Sequence, residues 1–530
     1  MFAFIKSVNA FFDIEPLLLA ITSPFLNIII VGIPVMPNLA GVSLPSSTFI
    51  LQNFTLSPIS FETSSTTGKN CLHGPHHCAQ KSTNTTLSDF KTSSSKFMSF
   101  TAVNAIFFSP CLFVSSILYY IVSFIKKAIG IFFMSDFRRY FPIFKQNPNI
   151  VYLDGGASAQ KPFCVLESMD KFYSETYANI HRGLYPFSEK SSEMYDEVRE
   201  KVAKFIGANS SSEIIFTKGT TEAINLVASS YGQLLKSGDE IVVSEVEHHS
   251  NYLPWKNLEK IVGIKIKYLP VLDNKELDYE WLSNNVSEKT KLVCVSGQSN
   301  VLGLKNNVKR IVEISHSVGA KVLIDGAQLT VHSCVNVSDL DIDFYVFSSH
   351  KIYGPTGIGV LYGKKELLNI MPPYQLGGDM VENVSFDKVV FKPIPSKFEA
   401  GTPPIAEVVG LGSAIDFLQS IGMEKIEENG QKLTKYLIEK LLKIDGVNII
   451  SHKDSNSIVS FVIKDVSPFD VGVMLGQKGV CVRVGKHCAE PLHHRFGVDS
   501  SIRVSLGLYN DKSDIDKFID VLKKVLSILK

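Results

Sequence analysis

The sequence shows no excess of charge of either sign: 53 lysine and arginine residues face 52 aspartate and glutamate residues among 530. Nucleic-acid-binding proteins usually carry a basic patch, so this balance gives no indication of a nucleic-acid partner. The eight cysteines lack the spacing of a disulfide framework, which is compatible with a reducing compartment or with functional thiols. No internal repeat is found, and the length favours two or three domains over one.

Arginine is absent from residues 1–134, which contain seven lysines and four acidic residues. Residues 16–37 are apolar, residues 44–99 are rich in serine and threonine, and residues 105–125 carry no charge over a length that can span a bilayer. We therefore interpret residues 1–134 as a targeting leader with hydrophobic segments rather than as a folded domain. Two alternatives stay open, a retained membrane anchor at residues 105–125 and translation from Met98.

One cluster in this leader imitates a metal site: Cys71, His73, His76, His77 and Cys78. Its spacing matches no common zinc pattern, and nothing in the surrounding segment predicts a rigid scaffold. We therefore predict no metal site.

An apolar stretch at residues 344–348 ends in a polar loop rich in glycine and proline, with Lys351 at the junction. A loop lysine is ordinarily a solvated surface charge. If protein walls enclose it, its pKa falls from about 10.4, and the neutral amine can form a Schiff base. Ser348 and His350 favour this second interpretation, because a hydroxyl and an imidazole beside the amine are suited to binding a phosphate.

Asp325 ends a strand-like run upstream of Lys351. Ligands of open α/β sheets gather at the carboxyl ends of the strands. An aspartate there can keep the pyridine nitrogen of pyridoxal phosphate (PLP) protonated while the lysine forms the imine. Asp325 alone is explained equally well as a helix cap, but the pair predicts a PLP site.

Other segments supply single candidates that also have ordinary explanations. Thr220 and Thr221 follow a strand and a tight turn, and they would form an anion site or merely cap a helix. His248 follows another strand, where an imidazole can lie flat on an aromatic cofactor or be a simple loop residue. Cys488 lies in a polar loop after a lysine and a histidine, which lowers a thiol pKa. Arg503 stands at a strand position suited to gripping a carboxylate through two hydrogen bonds.

The order of elements predicts an α/β protein with a second, smaller domain. Alternating strands and helices over residues 151–414 indicate a large domain whose mainly parallel sheet is covered on both faces. Residues 415–530 alternate amphipathic helices with short strands and form a smaller α+β domain that carries Cys488. Residues 135–150 are predicted to pack on this small domain as an N-terminal segment.

From about residue 136 to the C-terminus, the chain resembles the Suf-type (group II) cysteine desulfurases of the class-V aminotransferase family. The matching motifs, in chain order, are YLDGGASAQKP, HRG, GTTEAINLVA, EHHSNYLPW, SNVLG, KVLIDGAQ, FSSHKIYGPTGIG, FEAGTPP, RVGKHCAEPL and RVSLGLYN. Enzymes of this group are fold type I PLP-dependent transferases with a seven-stranded sheet, and they move sulfur from L-cysteine toward iron–sulfur clusters.

The resemblance implies the roles of the cofactor site. The residues expected to bind PLP are Thr220, Thr221, His248, Asp325, Gln328, Ser348, His350 and Lys351, joined by Gly401 and Thr402 from the partner subunit of a homodimer. Lys351 would be bonded to PLP, Asp325 would pair with its pyridine nitrogen and Gln328 would contact its ring hydroxyl. His248 would stack on the ring.

The resemblance also implies how L-cysteine is bound and cleaved. Asn300 and Arg503 would hold its carboxylate, and Cys488 would be the nucleophile, with Arg483 and His181 nearby. L-Alanine would leave, and a persulfide on Cys488 would pass to a SufE-like or SufU-like acceptor. A selenocysteine lyase, which shares fold and cofactor, is the alternative.

The chain departs from the family pattern in a few places. Gly155 and Gly156 replace a serine or asparagine and an alanine, Gln298 stands where bacterial members often have histidine, and Lys486 replaces the first histidine of an HHC pattern. We expect Lys486 to help keep the Cys488 thiolate charged. Ser349 and the run PLHHRFGV are more typical of plastid versions. Together with the leader, they predict a plastid-type organelle such as an apicoplast or chloroplast, with membrane contact only if the leader is retained.

Overall fold

The computed structural model describes residues 18–22, 27–31 and 137–530. In the first unit, the strands β1 (Leu18–Thr22) and β2 (Asn27–Val31) pair antiparallel. The rest of the predicted leader, including the stretch 105–125 and the cysteine–histidine cluster at 71–78, lies outside the described residues.

A seven-stranded sheet forms the centre of residues 137–530, in the order β4, β10, β9, β8, β7, β5 and β6. Strand β10 runs antiparallel to its two neighbours, and the other strands run the same way. The predicted mainly parallel seven-stranded sheet is therefore confirmed. Its strands are β4 (Ile214–Thr217), β5 (Glu240–Ser244), β6 (Lys265–Leu269), β7 (Thr290–Ser296), β8 (Lys321–Asp325), β9 (Phe344–Ser348) and β10 (Gly359–Gly363).

Both faces of this sheet are buried, because successive residues of its central strands pack into different apolar clusters. Ile324 and Tyr345 belong to the cluster on one face, whereas Leu323 and Phe344 belong to the cluster on the other. This explains why β8 and β9 are apolar throughout instead of alternating with polar residues.

Helices cover the sheet and lead into the C-terminal part. Up to residue 370 they are α1 (Pro142–Gln146), α2 (Phe163–Lys171), α3 (Pro186–Ile206), α4 (Thr220–Ser230), α5 (Leu253–Ile261), α6 (Tyr279–Asn285), α7 (Val308–His316), α8 (Leu329–His332) and α9 (Lys365–Ile370). After them come α10 (Ile405–Ile421), α11 (Met423–Leu441), α12 (Pro468–Gln477), α13 (Glu490–Arg495) and α14 (Lys512–Leu529).

A second sheet organises the C-terminal part. Its antiparallel strands stand in the order β13 (Val447–Ile449), β14 (Ile458–Ile463), β17 (Ser501–Ser505) and β16 (Arg483–Gly485). Two short pairs complete the strands: β11 (Val381–Val384) with β12 (Val389–Phe391), and β3 (Val151–Tyr152) with β15 (Val480–Cys481).

The predicted first and last residues of the large domain, 151 and 414, both lie in elements that contact the C-terminal part. Residue 151 was expected to open the large domain, but β3 pairs with β15, and Leu153 accepts from the Ser505 amide at 2.8 Å. This pairing arises because the apolar side chains of Val151 and Leu153 pack in the core of the C-terminal part. The boundary at 414/415 falls inside the continuous helix α10.

The segment at 137–150 contacts more than the predicted small domain. The Phe141 ring lies 5.0 Å from that of Tyr509, and it also packs on Tyr353 and Phe417, at 5.7 and 5.9 Å. Arg138 forms an ion pair with Asp514 at 3.2 Å. The segment therefore connects the two parts of the fold.

Within residues 137–530, no single helix is long and apolar enough to cross a membrane. Helices α10 and α11 meet this criterion only as a pair bent by 75°. Helix α10 is largely buried in the core, which accounts for its apolar composition.

Candidate active site

A cavity of about 250 Å³ opens where the carboxyl ends of β5, β7, β8 and β9 meet the loops of the C-terminal part. This is the position expected for a ligand in an open α/β sheet. The predicted site residues that line it are Thr220, Thr221, His248, Asn300, Asp325, Gln328, Ser348, His350, Lys351, Arg483, Cys488 and Arg503.

Lys351 and Asp325 come from the ends of two paired strands. Asp325 is the last residue of β8, and Lys351 closes the 3₁₀ turn that follows β9. Burial lowers the pKa of Lys351 to about 8, although Asp325 opposes the shift. Burial also raises the pKa of Asp325, against the pull of Lys351 and of the Ala327 amide, which donates to its Oδ1 at 2.9 Å. An amine with so low a pKa is partly neutral near pH 8 and therefore nucleophilic.

The first turn of α4 forms one end of the cavity. The Ser348 hydroxyl accepts a hydrogen bond from the Thr220 amide at 2.8 Å and lies 2.8 Å from the Thr220 hydroxyl. Thr221 lies 2.7 Å from the Ser250 hydroxyl. Gly219 precedes the helix with φ 155°, and a Cβ there would come within 3.2 Å of the Ser348 hydroxyl. Backbone amides and hydroxyls at a helix start form an anion site.

His248 is neutral and has a defined orientation. Its Nδ1 accepts from the Ser250 amide at 3.1 Å, so its Nε2 carries the proton. Burial lowers its pKa to about 4, and the nearby charges of Lys351 and Arg503 add to the shift. A neutral imidazole at this point is suited to stacking on an aromatic ring.

Asp154 connects the two arginines of the cavity. Its Oδ1 accepts from Arg503 Nη2 and from Arg483 Nε, each at 3.3 Å. Arg503 also donates from Nη1 to the Asn300 carbonyl at 3.2 Å, whereas its buried Nε has no partner in the protein. Burial lowers the pKa of Arg503 to about 10, so it remains charged at neutral pH.

The backbone holds Cys488 at the mouth of the cavity. His487 and Cys488 have φ angles of 51° and 55°, a left-handed conformation that is costly for residues other than glycine. Asn300 donates to the His487 carbonyl at 2.8 Å, and the Cys488 carbonyl accepts from the His249 amide at 2.7 Å. The Cys488 side chain is exposed.

Lys486, two residues before Cys488, has an acidic partner. Its amine forms an ion pair with Glu490, four residues further along the chain. The expected effect of Lys486 on the Cys488 thiolate stays a prediction.

Three predicted residues do not line this cavity. His181 was expected near Cys488, but it lines a second cavity of about 440 Å³ together with Gly401. Its amide donates to Ser192 at 2.9 Å and its ring packs on Tyr195 at 5.9 Å, so both contacts hold it against α3. Thr402 is exposed beside Gly401. The roles of Gly401 and Thr402 across a dimer stay predictions.

Sequence reasoning assigned no role to Asp154 or Ser250, and it noted His487 only as a neighbour of Cys488 in a polar loop. Asp154 follows an apolar strand, and Ser250 stands two residues after His248, a spacing at which a side chain readily bonds to the backbone amide. These local signals could have identified the first two residues. The sequence did not connect His487 with Ser501, which lies 14 positions further along the chain, on β17.

The donor set fits PLP. A lysine of lowered pKa, a buried acid, a neutral imidazole and a helix start lined with hydroxyls are the groups that its aldehyde, pyridine nitrogen, ring and phosphate require. Gln328 lines the same cavity with a buried Oε1 that has no partner in the protein. The fold and the site together define a PLP-dependent enzyme of the aminotransferase type.

Comparison with known proteins narrows this class. The class-V aminotransferase family matches residues 151–518. The cysteine desulfurase of Wigglesworthia glossinidia brevipalpis is 43% identical over 403 residues, which cover 75% of this chain and 98% of the relative. A probable cysteine desulfurase of Halalkalibacterium halodurans is 44% identical over 393 residues, which cover 73% of this chain and 97% of the relative. The crystal structure of the cysteine desulfurase CsdA from Escherichia coli superimposes with a TM-score of 0.71 at 38% identity, covering 74% of this chain and 98% of that one. The chain belongs to the class-V aminotransferase family, and to the cysteine desulfurases within it.

The role of Lys351 leads to the first prediction. Lys351→Ala should abolish the visible absorption of the purified enzyme and all turnover, because no other amine in the cavity has a lowered pKa. Lys365→Ala, at the exposed start of α9, should keep both. A visible band of normal intensity in Lys351→Ala, resistant to dialysis, would contradict the assignment.

Proposed function

We propose that this chain is a Suf-type cysteine desulfurase that converts L-cysteine to L-alanine and carries the sulfur as a persulfide on Cys488. The observation that supports this most directly is that Lys351, Arg503 and Cys488 line one small cavity. An amine for the cofactor, a guanidinium for the substrate carboxylate and a thiol for the sulfur are thus within reach of one amino acid.

The protein's own groups account for substrate binding. PLP, held by Lys351, Asp325 and the α4 start, would supply an electron sink for the charge that develops next to the substrate amine. Arg503 would bind the carboxylate through the Nε that has no protein partner. Asp154 keeps both arginines oriented but only partly neutralises them.

The same groups account for proton and sulfur transfer. The neutral Lys351 amine would take the proton from the substrate α-carbon. The Cys488 thiolate would then attack the substrate sulfur, forming an S–S bond as the carbon–sulfur bond breaks. A proton returned to the carbon gives alanine, and the persulfide stays on Cys488.

A homodimer would complete the site. Large apolar side chains are exposed along one segment near His181, notably Leu184 at 97% and Phe187 at 59%. Exposed apolar surface of this kind favours an interface. His181, Gly401 and Thr402 would then act in the partner's cavity rather than in their own.

The thiol prediction separates cofactor chemistry from sulfur chemistry. Cys488→Ser should keep the visible absorption yet release no alanine from L-cysteine, because a hydroxyl cannot take the sulfur. Cys334→Ser, an exposed cysteine outside this cavity, should behave as the wild type. Alanine production at the wild-type rate by Cys488→Ser would show that the nucleophile lies elsewhere.

We also predict that turnover depends on a SufE-like or SufU-like acceptor. The backbone carbonyls of His487 and Cys488 both accept hydrogen bonds, and Pro491 stiffens the chain three residues after Cys488. The persulfide therefore cannot travel far, and an acceptor must bring its own thiol to the mouth of the cavity. Alanine release should be slow with small reductants and rise several-fold with an acceptor, while mass spectrometry finds the persulfide on Cys488. Equal rates with and without a saturating acceptor would contradict this.

The leader supports a plastid-type location for this activity in iron–sulfur cluster assembly. A fluorescent reporter fused to residues 1–134 should reach such an organelle, because an acid-poor, serine- and threonine-rich leader is typical of targeting segments. The same reporter fused to residues 137–530 should stay in the cytosol. A cytosolic leader fusion would contradict the proposal, and mature protein resistant to carbonate extraction would favour the anchor at 105–125.

A further inference from the structure

Three polar side chains near Cys488 are connected in series by hydrogen bonds. His487 Nε2 lies 3.0 Å from the Ser501 hydroxyl, and that hydroxyl lies 3.0 Å from His493 Nε2. His493 Nδ1 lies 3.0 Å from the Ala489 carbonyl. His487, Ser501 and His493 are exposed by only 7%, 0% and 3%, so water does not compete for these contacts.

The Ala489 carbonyl determines the direction of every hydrogen bond in this series. A carbonyl only accepts, so His493 must donate from Nδ1, and in the neutral ring Nε2 is then bare. The Ser501 hydroxyl therefore donates to His493 and has no second hydrogen to give. His487 must donate to Ser501 from Nε2, which leaves its Nδ1 as an unprotonated acceptor.

This acceptor belongs to the residue that directly precedes the nucleophile. His487 and Cys488 are consecutive and line the same cavity, and His487 Nδ1 is buried with no partner in the protein. A buried polar atom without a partner is costly, and native structures retain few of them. A group that presents a proton to this atom during the reaction would account for its retention.

His487 by itself would hold a proton poorly. Burial lowers its pKa to about 2, and the charges of Arg503 and Arg483 contribute to the shift. His493 is better situated, even though burial lowers its pKa too. Its Nδ1–H is stabilised by the Ala489 carbonyl, and the negative charge of Glu490 favours the protonated ring.

The two other basic side chains near His493 both lie close to the Glu490 carboxylate. Lys486 and His494 disfavour its protonation, but both lie close to Glu490: Lys486 is ion-paired to it, and His494 Nε2 lies 3.9 Å from its Oε1. A proton moved from His487 to His493 is therefore carried away from the two arginines and toward a carboxylate.

We propose that His487, Ser501 and His493 form a relay that removes the thiol proton of Cys488. The S–H bond breaks as His487 Nδ1 takes the proton, and the electron pair stays on sulfur as the thiolate. The Nε2 proton of His487 passes to Ser501, and the Ser501 hydroxyl proton passes to His493 Nε2. His487 ends neutral with its proton on Nδ1, Ser501 is a hydroxyl again, and His493 carries the positive charge.

This relay rests on the proposed role of Cys488, so the test uses a reaction that needs no L-cysteine. In the PLP-loaded enzyme, Cys488 is alkylated with iodoacetamide across a pH series and its peptide is quantified by mass spectrometry. His493→Gln retains an oxygen that can accept from Ser501 but cannot take up a proton. It should slow alkylation at pH 7 by about tenfold or more and move the alkylation midpoint to higher pH. At high pH, where hydroxide removes the proton, the rates should converge.

Matched variants distinguish a relay from a structural role. Ser501→Ala should reproduce the effect of His493→Gln, whereas Ser501→Thr, which keeps the hydroxyl, should restore the wild-type pH profile. His494→Gln makes the same substitution at an exposed site on the same helix and should leave the profile unchanged.

Two outcomes would overturn the relay. One is a wild-type alkylation profile in folded His493→Gln and Ser501→Ala, whatever their alanine production. The other is an equal shift in Ser501→Thr and Ser501→Ala, which would mean that packing, not proton transfer, is responsible. Absence of alanine production by the wild-type enzyme would instead contradict the proposed function and leave the alkylation result to decide on the relay.

Discussion

The balance of charge around the Lys351 amine is the constraint on which the site depends. Three basic groups, Lys351, Arg483 and Arg503, share a small cavity with the Asp325 carboxylate, and Asp154 bonds to both arginines. Burying a charge costs several kcal/mol unless a partner compensates it. Burial lowers the pKa of Lys351 to about 8 even though Asp325 favours its charged form, whereas Arg503 remains charged beside Asp154. A partly neutral amine and a charged guanidinium can therefore coexist in one cavity.

This balance requires the two parts of the fold to meet correctly. Asp325 and Lys351 come from adjacent strands of the central sheet, but both arginines come from the C-terminal sheet. Asp154 joins them from a segment that pairs with β15 and leads back toward α2. The segment that follows the short strand β3 therefore positions both arginines of the cavity.

The parts of the site that follow from local rules could be predicted from the sequence. Lys351 and Asp325 stand at strand ends, and the central strands are apolar throughout, so the parallel sheet and the position of the site followed from the pattern alone. The local pattern at Asp154 and His487 does not reveal their partners. Asp154 bonds to arginines more than 300 positions away, and His487 Nε2 contacts the Ser501 hydroxyl on β17. The ion pair of Lys486 with Glu490 was not anticipated, although the two residues are only four positions apart.

The positions of His181 and Gly401 bear on the proposed homodimer. Both face a second cavity that also contains the buried ion pair of Arg199 and Glu399, whose Nη1 and Oε1 lie 2.7 Å apart. Glu399 also accepts from the Phe216 amide at 2.7 Å and from Tyr195 at 3.1 Å, so the backbone just before Gly401 is rigidly held. A loop held so firmly, next to exposed Leu184, is suited to presenting residues to another surface rather than to closing over its own cavity. These features support the proposed homodimer, in which each cavity would draw its amine, arginines and thiol from one chain and its remaining wall from the other.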